Sequence, residues 1–353
     1  MTVVFRCNAG PEIGFGHLVR CRALAQALHE KGEHCVMVGP DQSYAKPADH
    51  ELFEDWIPVP DWSSSADDAQ RLSDIAQAWQ AKWLVLDDYR VDETYQIAVR
   101  TAGLRWLQFD GSASKPLWAD FVDNANPAAR AEDYTAVLRN PDAQLLLGPA
   151  YSILRPEFNQ VTARDPERPL KKILVTFGGG DDRGANQFVL STLLPITTSD
   201  QHFLVISGAS NPSNPSLKKW IETHGQGRVS LHIDPDLVAP LFASCDLAVM
   251  AGGNTTFEAA ACGLPMMIVT IAENQWSQAE GWNALGVAIC AGPLEAVDNA
   301  RLRAAFIKAA DPSRRRSMSM RALELVDGDG VDRIANAVVG ARTALTELRS
   351  DGR

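Results

Sequence analysis

TVVFRCNAGPEIGFGHLVRCRALAQALHEKGEHCVMVG, residues 2–39, decides the fold. Its first six residues are β-branched, aromatic and apolar, and predict a strand. From Val19 the apolar residues Val19, Ala23, Leu24, Ala27 and Leu28 recur at helical spacing, and Lys31-Gly32 supplies a basic last turn and a glycine stop. HCVMVG then reads as a second strand. The sum is a βαβ unit with a parallel sheet and a right-handed crossover. Ligands of such sheets bind outside the carboxyl ends of the strands, where the turn after the first strand lies. Gly14 and Gly16 let a ligand approach bare backbone, and the helix N-terminus behind them favours negative charge. His17 stands at the lip of that turn, with Arg20 one turn along nearly the same helix face. Taken alone, a glycine turn before a helix is common, and His17 reads equally as a residue that caps or packs.

Further along, the same pattern returns. Asp67 to Gln80 predicts a helix. WLVLDDY (83–89), LRWLQFD (104–110), DFVDNAN and AQLLLGPAY each run from apolar to polar. A parallel sheet that presents a site along one edge has this signature. It groups Asp87, Asp88, Tyr89, Asp110, Asn124 and Asn126 with Gly14 to His17. The charged, proline-containing RPEFNQVTARDPERPLK (155–171) reads as a linker. KILVTFGGGDD then restarts the pattern: strand, glycines with Gly179 at their centre, and a helix from about Ala185. FLVISG, VSLHI, LAVMAGG and PMMIVTI are further strands. The expected organisation is an α/β protein of two Rossmann-like αβα domains with a ligand cleft between them. An N-terminal domain at 1–155 precedes the linker at 156–170, a C-terminal domain at 171–300 and helices at 301–353.

DLAVMAGGNTTFEAAACGLPMMIV (246–269) holds the second constellation. Gly252 and Gly253 turn the chain after a strand, Asn254, Thr255 and Thr256 open a helix, and Glu258 ends its first turn. Glycines and hydroxyls at a helix N-terminus make an anion cradle, and the carboxylate suits a ribose diol. The same letters also spell a plain capping box, Thr255 with Glu258. Asn274 and Gln275 follow the next strand, where amides read a base or sugar, or cap a helix.

Composition narrows the class. The 353 residues suffice for two domains, and the formal charge of -11 argues against generic nucleic-acid or anionic-membrane binding without excluding a local phosphate site. Six scattered cysteines form no CxxC and predict buried thiols rather than disulfides or zinc ligands. Direct entry into a strand, with neither a signal peptide nor a long apolar run, gives the expectation of a soluble cytoplasmic protein.

Several stretches together resemble one family. G-x-G-H-x-x-R with L-A (Gly14, Gly16, His17, Arg20, Leu24, Ala25), D-x-Y (Asp87, Tyr89), Phe109-Asp110 and Asn124-x-Asn126 come first. Gly148, Tyr151, Leu154, Arg155, Glu157 and Phe158 follow, then Gly178 to Asp181, Gly252-Gly253-x-Thr255 with Glu258, and Asn274-Gln275. In this order, over about residues 3 to 290, they resemble the UDP-2,4-diacetamido-2,4,6-trideoxy-β-L-altropyranose hydrolases of pseudaminic acid biosynthesis, relatives of the GT-B glycosyltransferase that makes lipid II. The chain departs from that pattern at Asp88, Arg90 and Gly111.

The resemblance implies a GT-B fold and inverting hydrolysis in which water attacks C1 and UDP leaves, with no metal and no cofactor. It implies His17 as general base. Gly14, Gly16, Arg20, Asp87, Tyr89, Asn126, Tyr151, Asn274 and Gln275 would meet the substrate. Gly179, Gly252, Gly253, Asn254, Thr255, Thr256 and Glu258 would bind UDP. The expected partner is a UDP-sugar, with no nucleic acid, no stable membrane association and a monomer favoured. Competing readings are a GT-B glycosyltransferase, a UDP-sugar 2-epimerase and a silent nucleotide-sugar-binding module. A Rossmann dehydrogenase fits poorly, because Val19 breaks the GxGxxG spacing and HCVMVGPDQ lacks an acid at its strand tip.

Overall fold

The computed structural model describes every residue except 11–12, 60–61, 160, 163–164 and 351–353; for 342–350 only the helical backbone is described. Three residues of the expected linker and the last three of the expected helical tail thus lie outside the described residues.

The chain divides into two compact units. Residues 1–125, 129–155 and those from Asp329 on form the first, and residues 126–128 and 156–328 the second. In chain order the first unit contains β1 (Thr2–Cys7), α1 (Gly16–Glu30), β2 (His34–Gly39), α2 (Asp49–Leu52), β3 (Asp55–Pro58), α3 (Ser65–Ala78) and β4 (Trp83–Asp87). It continues with α4 (Glu93–Thr101), β5 (Arg105–Phe109), β6 (Phe121–Asn124), α5 (Ala131–Tyr134) and β7 (Gln144–Leu147). These strands make one parallel sheet, ordered β3-β2-β1-β4-β5-β6-β7.

The second unit holds β8 (Lys172–Thr176), α6 (Ala185–Leu193), β9 (His202–Ser207), α7 (Asn214–His224), β10 (Val229–Ile233), α8 (Ala239–Ala243), β11 (Leu247–Met250) and α9 (Thr255–Ala261). After these come β12 (Met266–Thr270), α10 (Trp276–Ala284), β13 (Ala288–Pro293), α11 (Asn299–Ala310) and α12 (Pro312–Leu325). Its parallel sheet is ordered β10-β9-β8-β11-β12-β13. The chain then returns to the first unit as α13 (Gly330–Ser350).

The strands appear where apolar runs place them, because the central ones are sandwiched between helices and buried on both faces, while the edge strands β3, β7 and β10 are only partly buried. In the first unit, one face of the sheet packs Val3, Phe5 and Val85 against Leu18 and Leu24 of α1 and Ile334 and Val338 of α13. The opposite face packs Val4, Leu84, Leu86 and Trp106 against Leu72 of α3 and Tyr95 of α4. The second unit buries Ile173, Val175, Phe203 and Val249 under Leu190 of α6 and Phe306 of α11. Each such side chain contributes about 1.5–3 kcal/mol by leaving water. Helix α1 stops where Gly32 adopts φ +78° and its N–H bonds the His29 carbonyl at 2.9 Å. Among the described residues no helix is long and apolar enough to cross a membrane.

Candidate functional site

In the first unit, register decides which side chains meet. Cys7 pairs with Asp87, Phe109 with Asp123, and Asp123 with Leu146. Strand alternation therefore sets Cys7, Asp87, Phe109, Asp123 and Leu146 in one row, at the carboxyl ends of the strands, on the face that α1 covers. His17 and Arg20, from the first turns of α1, meet this row. Arg20 grips Asp87 with Nε and Nη2, and its guanidinium lies 4.7 Å over the Phe109 ring. His17 is 7 % exposed; its Nδ1 lies 3.1 Å from Asn8 Oδ1 and 3.6 Å from Asp87 Oδ1. Tyr89, exposed itself, presents its ring edge-on at 4.6 Å from the imidazole.

Burial holds the His17 pKa below the usual histidine value; Asp87 pulls it up, Arg20 pushes it down, and Asp88 adds a weaker upward pull. The ring is therefore a neutral base near pH 7. Asp88, next to Asp87 in sequence, points to the opposite face and is held by Arg90 at 2.6 Å and Arg6 at 3.8 Å. Asp87 ends β4 and Asp88 follows it, so the alternation of the strand carries the two acids apart.

The glycine turn is closed by paired hydrogen bonds between Gly10 and Gly14, and Gly14 sits at φ +87°, where any side chain is strained. Gly16 opens α1 and is exposed; the N-cap, Phe15, provides no side-chain hydrogen bond to the helix. The N–H groups of the first turn are thus left without a side-chain cap. Tyr151 lies half-buried in a 3-10 turn, Pro149–Tyr151, against the first-unit core.

The expected grouping of the strand-end polar residues is only partly met. Asp110 accepts the Tyr134 hydroxyl at 2.8 Å and the Ser112 and Ala113 N–H groups, all on Oδ2. Tyr134 in turn receives the Asn124 amide at 2.9 Å. Asn126 falls in the 126–128 segment of the second unit and donates to Ser277 Oγ at 3.4 Å.

Two residues in the first unit's site went unnoticed in the sequence: Asn8 and Asp123 stand at strand ends by the same rule that singled out Asp87. Asp123 is 5 % exposed, its Oδ1 has no hydrogen-bond partner among the described residues, and burial drives its pKa well above the carboxylate range.

In the second unit, two glycine turns are built by close backbone approach. A Cβ on Gly208 would fall 2.0 Å from the Gly179 carbonyl oxygen, which also receives Ser210 Oγ at 3.0 Å. A Cβ on Gly252 would fall 2.9 Å from the Gln275 carbonyl oxygen. The Gln275 side chain also braces this turn, accepting from the N–H groups of Gly252 (3.3 Å) and Ile271 (3.0 Å). Asn254 is the N-cap of α9 and Thr255 lies within the helix, with no side-chain cap bond, so the capping-box reading of Thr255 with Glu258 is corrected. Thr256 is fully buried; its hydroxyl bonds the Gly253 carbonyl and receives Gln278 Nε2 and Trp282 Nε1 at 2.8 and 2.9 Å. Asn254 and Asn274 are exposed, and Glu258 is buried. Asp182, beside the first of these turns, accepts the Gly184 and Asn186 N–H groups and so organises the start of α6. Among the described residues no three His, Cys, Asp or Glu side chains gather as a metal site.

No family model matches the chain. Over 96% of its length it superposes on all of the Acinetobacter baumannii MurG crystal structure, with a TM-score of 0.70 at 12% identity. The fold is GT-B. The same GT-B architecture relates it to the S. aureus MnaA–UDP structure, TM-score 0.60 at 13% identity, over 96% of this chain and 95% of that one. In sequence, the chain is 26% identical over 284 residues to the UDP-2,4-diacetamido-2,4,6-trideoxy-beta-L-altropyranose hydrolase of Campylobacter jejuni, covering 79% of this chain and 95% of that protein. The resemblance carried by the motifs thus extends over nearly the whole length of that hydrolase.

Proposed function

We propose that this protein is a UDP-sugar-processing enzyme that hydrolyses a UDP-linked diacetamido-trideoxyhexose to UDP and the free sugar, in the biosynthesis of a pseudaminic-type nonulosonic acid. His17 takes a proton from water as the water attacks C1. One observation carries the reading: His17, in its G-x-G-H-x-x-R setting, is buried as a neutral base beside the Arg20–Asp87 pair. The likeness to the Campylobacter hydrolase supports the substrate class. UDP is a good leaving group, so the chemistry needs a general base and donors for the developing diphosphate charge.

In this reading Gly14 and Gly16 bring backbone N–H groups to the ligand, Arg20 and Asp87 set the field at His17, and Tyr89 shields the ring. Tyr151, Asn126, Asn274 and Gln275 are the remaining sugar-side residues, Gln275 acting through the turn it braces. UDP is held by the second unit. Gly179, Gly252 and Gly253 give backbone, Asn254 and Thr255 side chains at the start of α9, and Glu258 the ribose acceptor, while the buried hydroxyl of Thr256 stiffens the turn. No metal or cofactor takes part, and the enzyme works as a cytoplasmic monomer.

The test is to incubate purified protein with a panel of UDP-diacetamido-trideoxyhexoses in ¹⁸O-water, with chelator and no acceptor. UDP release with label in the sugar is the expected result. Absence of UDP release, or label on phosphate, overturns the reading.

A further inference from the structure

We propose that Asn8 is a positioning residue for His17: its side-chain amide fixes the proton on Nδ1, so that Nε2 is the nitrogen that acts as base. The proposal rests on the reading of His17 as the group that activates water. Asn8 follows β1 directly, at the sheet edge that α1 begins beside, and its Oδ1 lies 3.1 Å from His17 Nδ1. An amide oxygen only accepts, so the proton between these atoms belongs to the ring nitrogen, and the lone pair of the neutral imidazole falls to Nε2.

A second acceptor stands nearby, which makes the choice of an amide informative. Asp87 Oδ1 is 3.6 Å from the same nitrogen, but Arg20 holds both oxygens of that carboxylate. The two acceptors therefore divide the task. Asn8 orients the neutral ring without adding charge, and Asp87 acts mainly on the ring once it is protonated. A carboxylate at position 8 would add a second, uncompensated negative charge and would keep the imidazolium, the inactive form, to higher pH. The other charged or titratable groups around the ring are Arg20 and Cys21 on α1, Asp88 and Tyr89 after β4, and Asp123, which acts on the Arg20–Asp87 pair from β6. The Asp87 backbone carbonyl is a further neutral acceptor at the ring, so removal of the Asn8 amide leaves the ring proton without the side-chain acceptor that faces Nδ1 at 3.1 Å.

The experiment compares wild type, Asn8→Ala and Asn8→Asp by kcat, KM and pH–rate profile, and by ¹⁵N NMR of the histidine rings, with His17→Asn to assign the signal. Wild type is expected to show His17 in the Nδ1–H form at neutral pH. Asn8→Ala is expected to shift the ring toward the Nε2–H form and to lower kcat by roughly 10–100-fold with little change in KM, by analogy with the scale on which hydrogen-bond partners of metal-bound histidines act. Asn8→Asp should restore the Nδ1–H form but move the acid limb of the profile up by about one pH unit or more. An Nε2–H ring in wild type, or an unchanged tautomer and kcat in Asn8→Ala, overturns the proposal; so does an unmoved acid limb in Asn8→Asp. Should wild type hydrolyse no UDP-sugar, the proposed function fails, while the ¹⁵N spectra still decide the role of Asn8.

Discussion

Arg6 and Arg20 each grip one aspartate with two nitrogens, on opposite faces of the same sheet, and the surroundings of the two pairs differ. Arg6 and Asp68 have side chains only 1% and 2% exposed; the Asp87 carboxylate is as buried, but Arg20 is 29% exposed. Around Arg6 the hydrogen-bond partners are structural. Asp68 is held at 2.9 Å by both nitrogens and at 3.1 Å by the Tyr95 hydroxyl, and Nη1 donates to the Cys7 carbonyl at 2.7 Å. Trp62 lies under the guanidinium and stacks on Tyr95. Gly39, at φ +123°, leaves the space, since a Cβ there would fall 2.2 Å from Arg6 Nη1. Sealed from water, this pair is a joint between β1, α3 and α4. Around Arg20 one side is packed on Phe109 and the other opens to solvent beside His17. The difference teaches that an ion pair closed on all sides anchors the fold, while one left half open lends its field to a neighbour.

The comparison breaks first at His17. His17→Ala is expected to lower turnover by roughly 10²–10⁴-fold, the usual contribution of a positioned base, while the thermal midpoint stays near that of wild type. A variant that keeps near-full turnover would reduce the open pair to a second structural joint. Next comes Asp68→Ala, which strands the buried Arg6 charge. Chemical denaturation should show a loss of about 3–5 kcal/mol, with the activity of the remaining folded protein unchanged.

Asp87→Asn sharpens the contrast. Arg20 reaches solvent, so the stability loss should be no more than about 1–3 kcal/mol, the range for a hydrogen bond to a charged group, and smaller than for Asp68→Ala. The pH–rate profile should move instead. Burial lowers the His17 pKa and the Asp87 charge raises it, so removing that charge lowers it further and carries the acid limb to lower pH. An acid limb that moves upward or stays fixed would show that Asp87 does not act on the ring. The smallest effect is in the wild-type profile. Protonation removes the base, so the rate should be lost as pH falls through a pKa below 6.5 and should be level near neutrality. A midpoint above 6.5 would mean that the carboxylates outweigh burial.

The fold was legible because strand and helix each leave a period in the sequence, and the first βαβ unit shows both within residues 2–39. The rule that polar residues at strand ends face a site found Asp87 but also drew in Asp110, whose Oδ2 is engaged by Tyr134 and its own turn. Strand-end position says nothing of whether a local donor lies within reach. Asp123 escaped notice because its importance comes from register: it lies beside Phe109 across two strands, and no spacing along the chain records that neighbour. The buried hydroxyl of Thr256 shows the same limit. A helix-start threonine looks exposed on paper, and Trp282, a partner at its hydroxyl, is remote in sequence.

Helix α13 rests on α1, with Val331, Ile334, Ala335 and Val338 in the same core as Leu18 and Leu24, and Asp332 within 2.7 Å of Lys31 Nζ. During translation the helix that carries His17 and Arg20 therefore emerges long before its covering layer, and the whole second unit is synthesised in the interval. The second unit is an insertion that can collapse locally, whereas the first must close a loop of some hundreds of residues; closure entropy grows only with the logarithm of length, so the delay is one of time on the ribosome more than of stability. Until α13 arrives, the part of the first unit's core that Ile334, Ala335 and Val338 complete is left unfilled.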